Sequence, residues 1–168
     1  SIAVSNAVIT AAAYQDALTV AGSSANAKLS ATGFANLAAG AATADLVIGA
    51  NASLGGSLAG NVNVALTSVA AAAGLSNATT NGAAIAVTGA VYDYAQPTYA
   101  GATLAFGNVR KGATGLTRTV GVTNTVVTNA AFQDSLDVTG TVANAKLSAS
   151  ALVNTAAGLT GDVTVTAS

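Results

Sequence analysis

The chain has 168 residues, 52 % hydrophobic and only 7 % charged, with a formal net charge of −1. Its few Lys and Arg are scattered, which excludes the basic patch that phosphate neutralisation requires, so nucleic acid is not an expected partner. His, Cys, Met, Trp and Glu are all missing, which excludes disulfides, thiolate metal sites and any Ser-His-Asp or Cys-His nucleophile, and argues against an enzyme.

Much of the apolar content is Ala, and no run of about 18 consecutive apolar residues is present to make a membrane-spanning segment. The first residue is Ser1, with no charged-then-apolar leader, so a processed chain or a fragment is expected.

In chain order, residues 1–10 (SIAVSNAVIT) alternate apolar and small polar residues, which predicts a strand with Ile2, Val4 and Val8 on one side. Ala11, Ala12 and Ala13 are too few for a stable helix and read as loop. Residues 16–22 (DALTVAG) predict a second strand with Leu18 and Val20 inward. A short third one, 28–30, begins with a Lys that suits an edge, where a charge discourages pairing with another chain. Strands follow at 44–50 (ADLVIGA) and at 60–68 (GNVNVALTS), the latter with the cleanest alternation.

Residues 75–82 (LSNATTNG) read as an Asn- and Gly-rich connection, and 84–92 (AIAVTGAVY) as a strand with Ile85, Val87 and Val91 inward around a bulge at Gly89. The stretch 93–101 (DYAQPTYAG) holds the sole Pro and two of the four Tyr, and is expected to be a linker stiffened at Pro97. Residues 102–109 predict an opening strand, and Arg110, Lys111 and Gly112 a turn.

The remainder repeats what came before. From Thr119 the run TVGVTNTVVTNAAFQDSLDVTGTVANAKLSASALVNTAAG lies without a gap over the forty residues from Ser1, an offset of 119 − 1 = 118 residues with about half the positions identical. Strands are therefore expected at 116–127, 134–140 (with Leu136 and Val138 inward), 146–148 and 162–167. The fold class implied is all-β, made of tandem immunoglobulin-like β-sandwich repeats with a period of about 118 residues. Residues 1–92 would be one repeat lacking its first strand, 93–101 the linker, and 102–168 the start of the next repeat, so that both ends are cut within a domain.

Leu104, Phe106, Gly107, Val109 and Gly112, followed by Val120, Val122 and Asn124, fit the pattern L-x-F-G-x-V-x-x-G and then V-x-V-x-N. This resembles the opening of the repeats in bacterial choice-of-anchor D surface proteins, which are similar to the wider group of immunoglobulin-like ASH/MSP-type sandwiches. Residues 60–66 and 87–91 resemble the closing strands of that family. The resemblance implies a long extracellular or bacterial cell-surface protein built of tandem modules, with no catalytic residues.

Individual side chains add little chemistry. Asp134 and Asp137, three apart on a strand, point to opposite faces and do not form a glycosidase pair. Asp93 with Asn108 is a thin candidate for Ca²⁺, which takes six or more oxygens, and no metal or cofactor is expected. Asp16 with Lys28, and Asp134 with Lys146, read as solvated charges rather than ion pairs. Tyr14 and Phe132 share one repeat position and are expected in the core. The triplets at Asn51 and Asn77 fit the N-glycosylation pattern, which carries little weight in the bacterial chain that the resemblance implies. Arg110 and Lys111 read as a solvated hairpin, and Thr164 and Thr166 alone do not make the regular Thr array that ice binding needs.

Two functions remain. One is a structural module of a stalk or filament whose partners are copies of itself or adjacent repeats, with strand complementation between neighbours. The other is an adhesin recognising a glycan or protein through loops at 37–42 or 75–82, neither of which carries an aromatic residue.

Overall fold

The computed structural model describes residues 1–80, 82–101 and 103–168. Antiparallel strands, two single 3-10 turns and an isolated parallel bridge between Asp93 and Gln133 account for the regular structure of these residues, with no α-helix among them. The chain divides into two units, the first comprising Ser1–Ser53 and Ser57–Ala90, the second Leu54–Gly56 and Val91–Ser168.

In the first unit, β1 (Ile2–Val4), β2 (Ala17–Ser24), β3 (Leu29–Thr32), β4 (Phe34–Leu37) and β5 (Ala44–Ala50) are followed at the unit boundary by β6 (Gly56–Ser57). After these come β7 (Gly60–Val69), β8 (Ala78–Thr80), β9 (Ala84–Val87) and, at the second boundary, β10 (Ala90–Val91). One sheet runs β1-β5-β3, while a second runs β4-β2-β7 and is extended by β8 and β9, both paired to β7. The backbone of the second sheet is the match of β2 to β7, in register from Ala17↔Val69 to Ser24↔Val62.

The alternation of β7 puts Val62 fully inside, and Val20, Leu29 and Leu46 join it as the buried apolar residues of this unit. Burying each such side chain contributes about 1.5–3 kcal/mol. Backbones come close enough at Gly22 that an added Cβ would stand 2.6 Å from that of Ala31 and 3.3 Å from Leu46 Cδ1.

The second unit contains β11 (Pro97–Tyr99), β12 (Leu116–Asn124), β13 (Leu136–Thr139), β14 (Leu147–Ala149), β15 (Ala151–Thr155) and β16 (Thr160–Ala167). Its larger sheet runs β11-β12-β16-β14, and β13 pairs with β15. Val122, Leu136 and Val163 form the buried cluster, with Ala95, Val120, Val138 and Leu152 against it. The architecture is all-β and sandwich-like in both units. As anticipated, β3 and β14, each preceded by its Lys, lie at sheet edges.

Several sequence expectations are corrected. The first strand stops at Val4 rather than Thr10, and its equivalent stops at Asn124 rather than Val127, because Asn6 and Asn124 turn inward to serve other backbone segments. Ile2, within that strand, and Val8, beyond it, are both exposed rather than inward. Strands β4 and β15 fall where none was expected; each contains an Asn at positive φ, Asn36 at 56° and Asn154 at 53°, which interrupts the alternation that marks a strand.

The polar connection 75–82 includes β8, paired from Leu66↔Thr80 to Ser68↔Ala78. Residues 103–109 carry no strand, and the expectation at Ala102 lies outside the described residues. Within 93–101, Pro97–Tyr99 forms the edge strand β11 against Val122–Asn124. Pro97 is tolerated there as the first residue of an edge strand, where a missing N–H breaks no ladder. Tyr14 is 93 % exposed instead of being in the core, whereas Phe132 is half-buried beneath Tyr92, with ring centroids 6.0 Å apart in an edge-to-face arrangement.

Candidate functional site

The most elaborate polar structure occurs twice. In the first unit, Asn6 Nδ2 donates to the carbonyl oxygens of Asp16 (2.9 Å) and Leu37 (3.0 Å). Gln15 Nε2 donates to Asn6 Oδ1 (2.9 Å) and to Ala7 O (2.8 Å), and Gln15 Oε1 accepts from the Ile9 N–H (2.9 Å). In the second unit, Asn124 Nδ2 donates to Asp134 O (2.9 Å) and Thr155 O (3.0 Å). Gln133 Nε2 donates to Asn124 Oδ1 and Thr125 O (both 2.8 Å), and Gln133 Oε1 accepts from the Val127 N–H (2.8 Å).

Every partner is displaced by one constant, as in 124 − 6 = 118 and 133 − 15 = 118. One Asn–Gln pair thus ties the end of the first strand, the 3-10 turn and the strand ending at Leu37 or Thr155. Buried amides satisfied on both ends hold such junctions because unpaired buried polar groups are costly. Thr19 Oγ1 accepts from the Asn36 N–H at 3.2 Å and Asp137 Oδ1 from the Asn154 N–H at 2.6 Å. Asp137 therefore serves as a backbone cap rather than a reactive carboxylate.

The surroundings of the two clamps differ. In the second unit the segment 91–99 lies over the clamp. The Asp93 N–H donates to Phe132 O (2.8 Å), Asp93 O accepts from the Asp134 N–H (3.0 Å), the Gln96 N–H donates to Asn124 Oδ1 (3.0 Å), and Gln96 O accepts from the Thr125 N–H (2.8 Å). Asn124 is consequently 0 % exposed and Gln133 8 %. Among the described residues no such segment lies over Asn6 and Gln15, and the surface there holds a groove of about 380 Å³ lined in part by Asn6, Ile9, Tyr14, Gln15, Asp16 and Leu18. A second asymmetry concerns strand edges: β2 is flanked by both β4 and β7, while β13 pairs with β15.

The remaining candidate residues separate. Asp16 accepts from Ser68 Oγ (2.8 Å) and the Ala71 N–H (3.1 Å). These two hydrogen bonds, that from Ser68 foremost, hold its carboxyl below the usual range. Asp93 Oδ1 accepts from the Gly55 N–H at 2.7 Å, and its Oδ2 is buried with no hydrogen-bond partner. Among the described residues no group of three or more His, Cys, Asp or Glu gathers as a metal site would require. Arg118 lies over the Phe106 ring, 5.7 Å from its centroid, and its Nε donates to Ala105 O (3.2 Å).

Two groupings were not visible in the sequence. Arg110, Lys111 and Lys146 line one surface cavity of about 610 Å³, although in the sequence the basic residues look scattered. Cross-strand register also pairs Thr117 with Thr166, Thr119 with Thr164 and Thr123 with Thr160. By alternation these six share the sheet face opposite Val122, so Thr164 and Thr166 belong to a broader hydroxyl ladder, interrupted by the pair Gly121 and Asp162. Thr123 and Thr160 join their hydroxyls at 2.6 Å. No described helix is long and apolar enough to cross a membrane. No protein-family model, curated protein or solved structure matches the chain.

Proposed function

We propose that the chain is an extracellular structural repeat module of a bacterial cell-surface stalk or of a self-assembling filament or sheath, and not an enzyme. On this reading the two units are partial copies of one immunoglobulin-like sandwich with a period of about 118 residues, and neighbours complete each other by adding strands. The observation that carries it is the Asn–Gln clamp, drawn twice with matching partners but covered by a strand segment in one unit and bare in the other.

An exposed edge with unused N–H and C=O groups adds strands from another chain through backbone hydrogen bonds. The low charge supports close stacking, since few ions must be desolvated where modules meet. The likeness of 104–124 to choice-of-anchor D repeats points the same way.

Sedimentation velocity over a concentration series, with electron microscopy of the same samples, tests the proposal. Species that grow with concentration and appear as fibres or sheaths are expected. A monomer at every concentration with no ordered material would sink it.

One observation favours an adhesin instead. Tyr94 and Tyr99 are 87 % and 69 % exposed, on and beside the edge strand β11, and aromatic faces are suited to stacking on sugar rings. Binding on a glycan array that disappears with Tyr94→Ala and Tyr99→Ala would select that reading.

A further inference from the structure

Beside the groove at the first clamp lie free backbone groups at the positions that the segment 91–99 pairs with in the second unit. We propose that the surface around Asn6, Tyr14, Gln15 and Asp16 is a receptor for an extended peptide segment of the type Tyr-Asp-Tyr-Ala-Gln-Pro-Thr-Tyr, supplied by another repeat. This rests on reading the two units as copies of one module, and it names the contact through which neighbours would join.

The bound form is specified by the segment that covers the second clamp. Phe132 corresponds to Tyr14, Asp134 to Asp16, Asn124 to Asn6 and Thr125 to Ala7, each 118 residues apart. Transferred across, an incoming Asp93-like residue donates its N–H to Tyr14 O and accepts from the Asp16 N–H. A Gln96-like residue donates to Asn6 Oδ1 and accepts from the Ala7 N–H, and a Pro-Thr-Tyr strand runs antiparallel to Val4, Ser5 and Asn6. Among the described residues the Asp16 and Ala7 N–H groups and the Tyr14 carbonyl have no hydrogen-bond partner within the chain, while Asn6 Oδ1 accepts from Gln15 alone.

Burial agrees at the clamp, at the strand beside it and at the ring position, though not at Asp134, which is exposed where Asp16 is half-buried. Asn124, Gln133 and Val122 are 0 %, 8 % and 6 % exposed, whereas Asn6, Gln15 and Val4 are only half-buried. Phe132 is half-buried under Tyr92 while Tyr14 is 93 % exposed. Ala95 packs on the second unit's buried cluster, so the incoming segment also brings a small apolar residue to the mouth of the first. Main-chain hydrogen bonds supply affinity in strand addition, and the side chains at alternate positions supply selectivity.

The test is titration of the full chain with a labelled synthetic peptide of residues 90–101 (AVYDYAQPTYAG), followed by anisotropy and by amide chemical shifts. Saturable one-to-one binding is expected, with shifts concentrated at Val4, Ala7, Tyr14 and Asp16. Tyr14→Ala, which removes an exposed ring and leaves the clamp intact, is expected to weaken binding by about threefold to tenfold, the range of a lost aromatic pair. A peptide N-methylated at the Gln96 position lacks the N–H aimed at Asn6 and is expected to bind at least about tenfold more weakly.

No saturable binding, or equal binding by the N-methylated peptide, overturns the proposal. Fibres without peptide binding would reject this groove and leave the assembly reading standing. Peptide binding by a chain that never assembles would do the reverse.

Discussion

Asn124 is buried completely because four partners converge on one side chain: its amide spans Asp134 O and Thr155 O, and its oxygen takes Gln133 and the Gln96 N–H. Asn124→Ala would leave these groups unpaired in the interior and is expected to destabilise the second unit by about 3 kcal/mol, since each orphaned buried group costs about 1–3 kcal/mol and losses within one network are not additive. Asn6→Ala strips the same clamp where water can replace the lost bonds, and about 1 kcal/mol is expected. Urea denaturation of both variants checks this, and equal midpoint shifts would contradict the role given to 91–99.

Asp16 carries the pH dependence at this scale. Its folded-state carboxyl lies below the usual value of 3.8, so its contribution is complete above that value and disappears as pH falls through the lower folded value. Lowering the pH below 3.8 should therefore reduce the thermal midpoint of the wild type more than that of Asp16→Asn.

Strands were legible where alternation is unbroken. The reading 44–50 coincides with β5, and 60–68 matches β7 to within one residue. Besides the two-residue β6, the elements that escaped each lack that signal for a nameable reason: β4 and β15 contain a positive-φ Asn, β8 is polar and exposed along its length, and β11 begins with Pro97. The repeat made Asn6, Asn124, Gln15 and Gln133 visible as identities, but a linear sequence does not say that an Asn six residues into a strand-like run will turn inward and end it.

Register at β4 depends on a close approach at Gly33, where an added Cβ would sit 1.8 Å from Val20 O, far inside contact distance. Gly33→Ala must push β4 away from β2, at an expected cost of about 2–3 kcal/mol. Gly112, at φ 87° with nothing within 4 Å of an added Cβ, sets the comparison: Gly112→Ala has only backbone strain to pay, about 1 kcal/mol. Chemical denaturation ranks the two, and the reverse order would mean that β4 does not hold this register.

At the scale of the whole molecule, the paucity of ions decides how any association between chains should respond to salt. The 168 residues include five basic and six acidic side chains, too few to steer encounter or to form an interface dominated by ion pairs. Backbone pairing along β13 or over the Asn6 clamp, together with apolar contact, is nearly indifferent to screening, whereas a charge-driven contact weakens as the Debye length falls from about 10 Å at 0.1 M to about 3 Å at 1 M salt. Raising sodium chloride between those two concentrations is therefore expected to leave the midpoint concentration of assembly unchanged within about twofold, or to lower it slightly, because added salt strengthens apolar burial where the salt is excluded from the surface. The cavity lined by Arg110, Lys111 and Lys146 is the structural feature that could defeat this expectation. If it docks onto acidic groups of a neighbour, assembly should dissolve on passing from 0.1 to 1 M salt and Lys146→Ala should mimic that loss, an outcome readable by light scattering over a salt series and incompatible with joining by strand addition.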